Sequence, residues 1–385
     1  LRFSTLKMNI ESTSGNLELR NTGIMSLPEG LTVGGDLNLS FCTGIMSLPE
    51  GLSVGGDLNL SGCTGITSLP EGLSVGGSLY LGSCTGITSL PEGLSVGGDL
   101  NLGGCTGITS LPEGLSVRGS LILSDCTGIT SLPEGLSVRD NLNLNSCTGL
   151  KSIPAWLTAG GYLDLGDCIG ITSLPEGLSV HDSFYLSGCT GITSLPEGLA
   201  VGGDLYLIGC TGLTALPKGL TVPGSLWLSR TGIKSLPEGL IVGGNLGLSS
   251  TGIKSLPEGL IVGGDLDLRG TGIKSLPAGL SAPGGLFLTG CTRLTALPEG
   301  LTNVGGSLTL CGCKRITSLP EGLSVGRNFY LRGSGITSLP EGLTVGGNLY
   351  LRGSGITSLP KGLTVGGKIF PNFYNDDSDD LENEY

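Results

Sequence analysis

The chain has 385 residues, 72 of them glycine, with aromatic residues at only 4% and a formal net charge of −12. So much glycine without a Gly-X-Y period excludes collagen, and so few rings exclude a core built on Phe and Trp. An acidic balance with no Lys/Arg stripe excludes nucleic acid as a partner. No run of about 18 apolar residues is present, so no membrane-spanning helix is expected.

In chain order, residues 1–15 read as an N-terminal cap. The chain opens on Leu1 with no visible signal peptide, which reads as a start inside a longer chain or the loss of something upstream. Residues 16–367 are one repeat array. The pentapeptide Leu27-Pro28-Glu29-Gly30-Leu31 and its variants occur 17 times. The step is 21 residues from Pro28 to Pro217, 20 through Pro237, Pro257 and Pro277, then 21, 22, 20 and 20 to Pro360. Such a register is the signature of a solenoid, in which one unit buries too little to fold and stacking supplies the core.

In the unit Val54-Gly55-Gly56-Asp57-Leu58-Asn59-Leu60, the leucines alternate with polar residues, the period of a half-buried strand. Leu58 and Leu60 are expected to face the core, with Asp57, Asn59 and Ser61 outward. After a turn at Gly62-Cys63-Thr64-Gly65, residues Ile66, Leu69 and Leu73 re-enter the core. Pro70 lacks an N–H, so this return path is read as extended or 3₁₀-like. The Gly-Gly pair accepts Pro223 and Pro283 at its first position. That pattern suggests a type II turn with φ > 0 at the second glycine. The expected fold is an α/β-type repeat solenoid dominated by β, a horseshoe with a parallel concave sheet and an extended or 3₁₀ outer arc.

Cysteines recur at one slot, Cys42 to Cys210 at steps of 21 residues, with Cys291 and Cys313 in the same slot of their own units. There is no CxxC pair, and Cys311/Cys313 is the one close pair, so neither a disulfide framework nor a metal site is expected. Shorter units place Thr231, Thr251, Thr271, Ser334 or Ser354 there. The ladder reads as buried, reduced thiols making weak hydrogen bonds, which suits a reducing cytosol, bacterial or host. Residues 368–374 read as a C-terminal cap in which Phe370, Phe373 and Tyr374 cover the last layer. Residues 375–385 read as a disordered acidic tail.

Units of 20 to 22 residues with Leu-x-Leu strands and Leu-Pro in each outer arc resemble the bacterial LPX-type leucine-rich repeats of IpaH/YopM-type secreted effectors. The resemblance covers residues 16–367. It implies a non-catalytic scaffold that binds a protein partner, possessed by an effector acting inside a host cell. One branch of the family carries a ubiquitin-ligase domain after its repeats, for which residues 371–385 offer no room. The Asn usual after the family's strand is replaced here by Cys or Thr.

A search for chemistry finds little. His181, the one histidine, sits at a turn position and reads as an inert imidazole rather than a general base. Glu29, Glu50, Glu71 and their counterparts form an acidic column on the outer arc, a solubilising surface rather than a catalytic pair. Gly55-Gly56-Asp57 is shared with calcium-binding nonapeptide repeats, but their period is absent; no metal or cofactor is expected. The informative residues break the monotony of the strand face. Tyr185, Tyr206 and Trp227 fall in successive units, with Ile208 extending the patch and Asp204 at its edge; outward aromatics anchor interfaces, although they can also merely support a sheet. Tyr330 and Tyr350 repeat with Arg332 and Arg352, a basic-aromatic pair suited to an acidic peptide or phosphate group. Two alternatives stay open: a structural or surface array that self-associates, against which the unpaired thiols count, and ice binding through the columns of Thr64 and Thr67, against which the curvature of such repeats counts.

Overall fold

The computed structural model describes residues 12–371. Residues 1–11 of the proposed N-terminal cap, Phe373 and Tyr374 of the C-terminal one, and the acidic tail 375–385 lie outside the described residues. Contacts divide the chain into two compact units, one ending at Val222 and the other beginning at Pro223.

Each unit is a parallel-strand solenoid, and about 17 turns are present in all. One turn carries two strands of two residues each, such as Ser53–Val54 and Leu58–Asn59. In the first unit the inner strands run from Leu17–Glu18 to Leu205–Tyr206, each paired parallel and in register with the next. In the second they run from Leu226–Trp227 to Ile369–Phe370. Leu58 and Leu60 are fully buried, and so are Cys63 and Ile66, while Asn59 is half-buried at the surface. Val54, Leu69 and Leu73 close the layer. Because strand residues alternate faces, a Leu-x-Leu strand puts both leucines inside and leaves the middle position to present the side chain that varies.

The expected repeat solenoid dominated by β is what the structure shows, and of the two readings of the return path the extended one holds: the described residues contain no helix of any kind. The return path carries a second parallel ladder, for example Thr32–Val33, Ser53–Val54 and Ser74–Val75. The ladder thins to the one pair Val96–Val117 in one place, and it loses its strand to an isolated bridge at Ala159 and at Ala282, the two turns where alanine replaces the inward valine. A β-branched side chain fits a pleated, half-buried surface and alanine does not.

One expectation is corrected: the Gly-Gly pair is not where φ is positive. The left-handed glycines are Gly51 (φ 74) and Gly62 (φ 74) with their equivalents. Gly51 is the third residue of a turn in which the Leu52 N–H donates to the Pro49 carbonyl, and Gly62 the third of one in which the Cys63 N–H donates to that of Leu60. The third residue of such a turn is where φ > 0 is demanded. The Gly-Gly pair has a different reason: a Cβ on Gly55 would collide with the Gly34 carbonyl, and one on Gly56 with the Asp36 carboxylate. Successive turns stack closely there, so glycine is the rule, and Arg118, Arg139, Asp140, His181, Asp182 and Arg327 are among the exceptions.

Candidate functional site

The strand face presents three columns of side chains: the residue before the first leucine, the middle residue, and the residue after the second leucine. The first column is not simply outward. The Asp36 Oδ1 accepts the Asp57 N–H at 2.9 Å, the Asp57 Oδ1 that of Ser78 at 2.7 Å, and the Ser78 Oγ that of Asp99 at 3.0 Å. Asp, Ser and Asn recur in this column because each is short and ends in an acceptor, which satisfies a backbone donor left over by the slanted parallel ladder. The middle column has its own local role: the Asn59 Oδ1 accepts the Ser61 N–H at 3.0 Å, and Asn101 does the same for Gly103 at 2.9 Å. These polar residues are structural, so the positions that depart from them stand out.

In the first unit Tyr80 and Ile122 depart singly, whereas Tyr162, Tyr185 and Tyr206 fall together. Tyr185 and Tyr206 stack with centroids 4.6 Å apart and planes 8° from parallel. Tyr162 meets Tyr185 edge-to-face at 5.7 Å and 84°. Tyr162 was not among the residues singled out from the sequence, because it stands in the first column, where Asp, Ser or Asn is the rule. The Tyr206 hydroxyl donates to the Asp204 Oδ2 at 3.0 Å. Burial, and then this neighbouring carboxylate, push the Tyr206 phenol up to about 12. Ile208 is 37% exposed beside them. Asp164 sits in register with Tyr185 and is half-buried; its Oδ1 accepts the Gly166 N–H at 2.8 Å. Burial raises its carboxyl above the usual range, against the lowering effect of that N–H.

Trp227 belongs to the second unit. Its indole lies across Gly247, where a Cβ would stand 2.5 Å from the ring. Further along, Asp267 is buried at 7% exposure and held by Arg269 through Nε at 2.9 Å and a terminal nitrogen at 2.8 Å. The Arg269 guanidinium lies 5.9 Å from the Phe287 centroid. Tyr330, Tyr350 and Phe370 then form a stack at 4.5 and 4.6 Å. The Asn328 and Asn348 amides each donate to the hydroxyl of their own unit's tyrosine at 3.1 Å. Arg332 and Arg352 are exposed. The structure thus brings together Tyr185, Tyr206, Asp204 and Ile208 in one unit, and Tyr330, Tyr350, Arg332 and Arg352 in the other.

The cysteine slot is inward, and the cysteines are all free. Each slot thiol donates back to the preceding turn, Cys63 to the Leu39 carbonyl and Cys84 to that of Leu60, both at 3.0 Å. Threonine in this slot behaves differently: the Thr231 hydroxyl donates to the Leu228 carbonyl of its own turn at 2.7 Å. Burial pushes the Cys63 thiol up to about 11 and those of Cys84, Cys105 and Cys313 up to about 12. Thiols held protonated in this way are poor nucleophiles and poor metal ligands. His181 is exposed, as is the Glu29, Glu50 and Glu71 column.

No helix of the described residues is long and apolar enough to cross a membrane. No protein-family model and no curated protein sequence matches the chain. Among solved structures the chain is similar to YopM from Yersinia enterocolitica WA-314, at 21% identity over 92% of this chain and 78% of that one, with a TM-score of 0.45.

Proposed function

We propose that this repeat chain is a non-catalytic scaffold that binds a protein partner on its inner strand face. The observation that carries this reading is the contiguous patch of Tyr162, Tyr185 and Tyr206 on neighbouring strands, with Ile208 exposed beside it. Outward tyrosines, on a face that elsewhere in this unit carries residues such as Asn59, Asn101 and Asn143, supply large, rigid contact area at low entropic cost. The stack of Tyr330 and Tyr350 beside Arg332 and Arg352 offers the second unit a contact of different chemistry. The buried free thiols suit a reducing compartment, a bacterial or host cytosol, and an effector role in a host cell is consistent with that setting.

The test is crosslinking capture from host-cell and bacterial lysates with three proteins. They are the wild type, a Tyr185→Ala/Tyr206→Ala variant checked for unchanged folding, and a Glu71→Gln/Glu92→Gln variant altered on the exposed outer arc. Capture of a protein other than the chain itself by the wild type and the outer-arc variant, with loss in the tyrosine variant, is the expected result. Equal capture by all three sinks the strand-face reading. Trp227→Ala, made separately, asks the same question of the second unit.

A further inference from the structure

The strand face of the first unit is acidic as well as aromatic. Along its three columns stand Glu18, Asp36, Asp57, Asp99, Asp164 and Asp204, against Arg20 as the one cation. Two of these carboxylates border the tyrosines. Asp204 holds the Tyr206 hydroxyl, and Asp164 lies in register with Tyr185. An arginine or lysine can pack its stem along the rims of stacked rings while its charged head pairs with a neighbouring carboxylate.

We infer that the patch formed by Tyr162, Tyr185, Tyr206, Asp164 and Asp204 is a docking surface for a cationic, arginine- or lysine-bearing segment of another protein. This rests on the protein-binding reading above and names the chemistry of the partner. Three features support it together. The rings are already ordered, since Tyr185 is packed on both sides, by Tyr162 edge-on and by Tyr206 face-on. The Tyr206–Asp204 bond fixes both the ring and the carboxylate before any partner arrives, which lowers the entropic cost of binding. Asp164 is a half-buried carboxylate in register with Tyr185 whose charge burial disfavours, so an arriving guanidinium or ammonium stabilises that charge beside the rings. A neutral or anionic segment gains none of these.

The experiment is a fluorescence-anisotropy titration of the full chain with a labelled Gly/Ser peptide bearing four arginines, and with its glutamate counterpart. The arginine peptide should bind the wild type and weaken with salt. Tyr185→Ala/Tyr206→Ala should weaken binding by about tenfold or more. Asp164→Asn/Asp204→Asn, which keeps side-chain size and so guards against a folding artefact, should weaken it too. Tyr185→Phe, which keeps the ring, should retain binding, and Glu71→Gln/Glu92→Gln should leave it unchanged. The inference is overturned if the outer-arc variant loses as much as the tyrosine variant, which would mean diffuse charge attraction, or if the glutamate peptide binds equally well. Absence of arginine-peptide binding, with lysate capture still dependent on the two tyrosines, would overturn this inference and leave the scaffold reading standing. Tyrosine variants without effect in either experiment would remove both.

Discussion

At the scale of single residues, the slot cysteines show how a buried thiol becomes part of a backbone network. Each donates to a carbonyl of the preceding turn that already accepts an N–H of its own turn, and desolvation keeps it protonated. The consequence for stability has a definite sign. Below about pH 9, the ordinary thiol value, the thiols are protonated in both folded and unfolded chains and pH has no effect through them. Between that value and about 12, the unfolded chain releases protons that the folded chain retains, so stability falls as pH rises. Urea midpoints should therefore drop between pH 8 and pH 10.5, and Cys84→Ala/Cys105→Ala should flatten the dependence while lowering stability at neutral pH. A midpoint independent of pH over that interval would count against the buried-thiol account. This part of the structure was legible in the sequence, because a residue recurring every 21 positions in phase with the leucines must occupy the same inward slot. Tyr162 was not, because its column reads as polar and outward until the acceptor ladder along it becomes visible.

At the scale of elements, the inner strand was legible and the outer one was not. Leu-x-Leu announces a strand by alternation over three residues, whereas Ser53–Val54 offers only one inward residue between a leucine and a glycine pair. Two residues carry no periodicity, so the second ladder emerges only from stacking. Its dependence on valine is testable where it lapses. Ala159→Val should extend the bridge to Val138 into a full pairing and raise stability by up to about 1 kcal/mol, read as a higher melting temperature. No gain, or a loss, would show that the interruption is imposed by the turn itself rather than by the missing methyl groups. The misplaced φ > 0 has a similar origin. Pro-Gly at Pro223 and Pro283 imitates a type II turn, but the demand on Gly284 comes from the turn stacked beneath it, which a linear reading of one repeat does not contain.

At the scale of the molecule, each turn of a unit bonds to the turns beside it, through strand ladders, turn-to-turn N–H bonds and cysteine-to-carbonyl bonds. Such a structure tolerates a change in the number of turns better than a change within one. Deleting residues 74–94 joins Leu73 to Ser95 and leaves the pattern of the neighbouring turns in phase. The shortened chain should keep the circular dichroism of the parent per residue and a single cooperative melt. Deleting ten residues from the same segment should instead abolish the single cooperative melt, because the shortened turn no longer reaches round to carry both strands and pair with the turns on either side. If both deletions fold, or neither does, the nearest-neighbour description fails.

The same arrangement has a mechanical meaning. Within a unit, tension applied along the chain meets small bundles of bonds in series, one bundle per turn, rather than a single shared core that resists as a whole. Each turn that peels away releases about 21 residues of slack, roughly 70 Å of contour at full extension. The neighbouring turn then becomes the new exposed edge, bonded as the previous one was. A unit built this way yields by unspooling in equal steps and rewinds on the template of whatever turn is still in place.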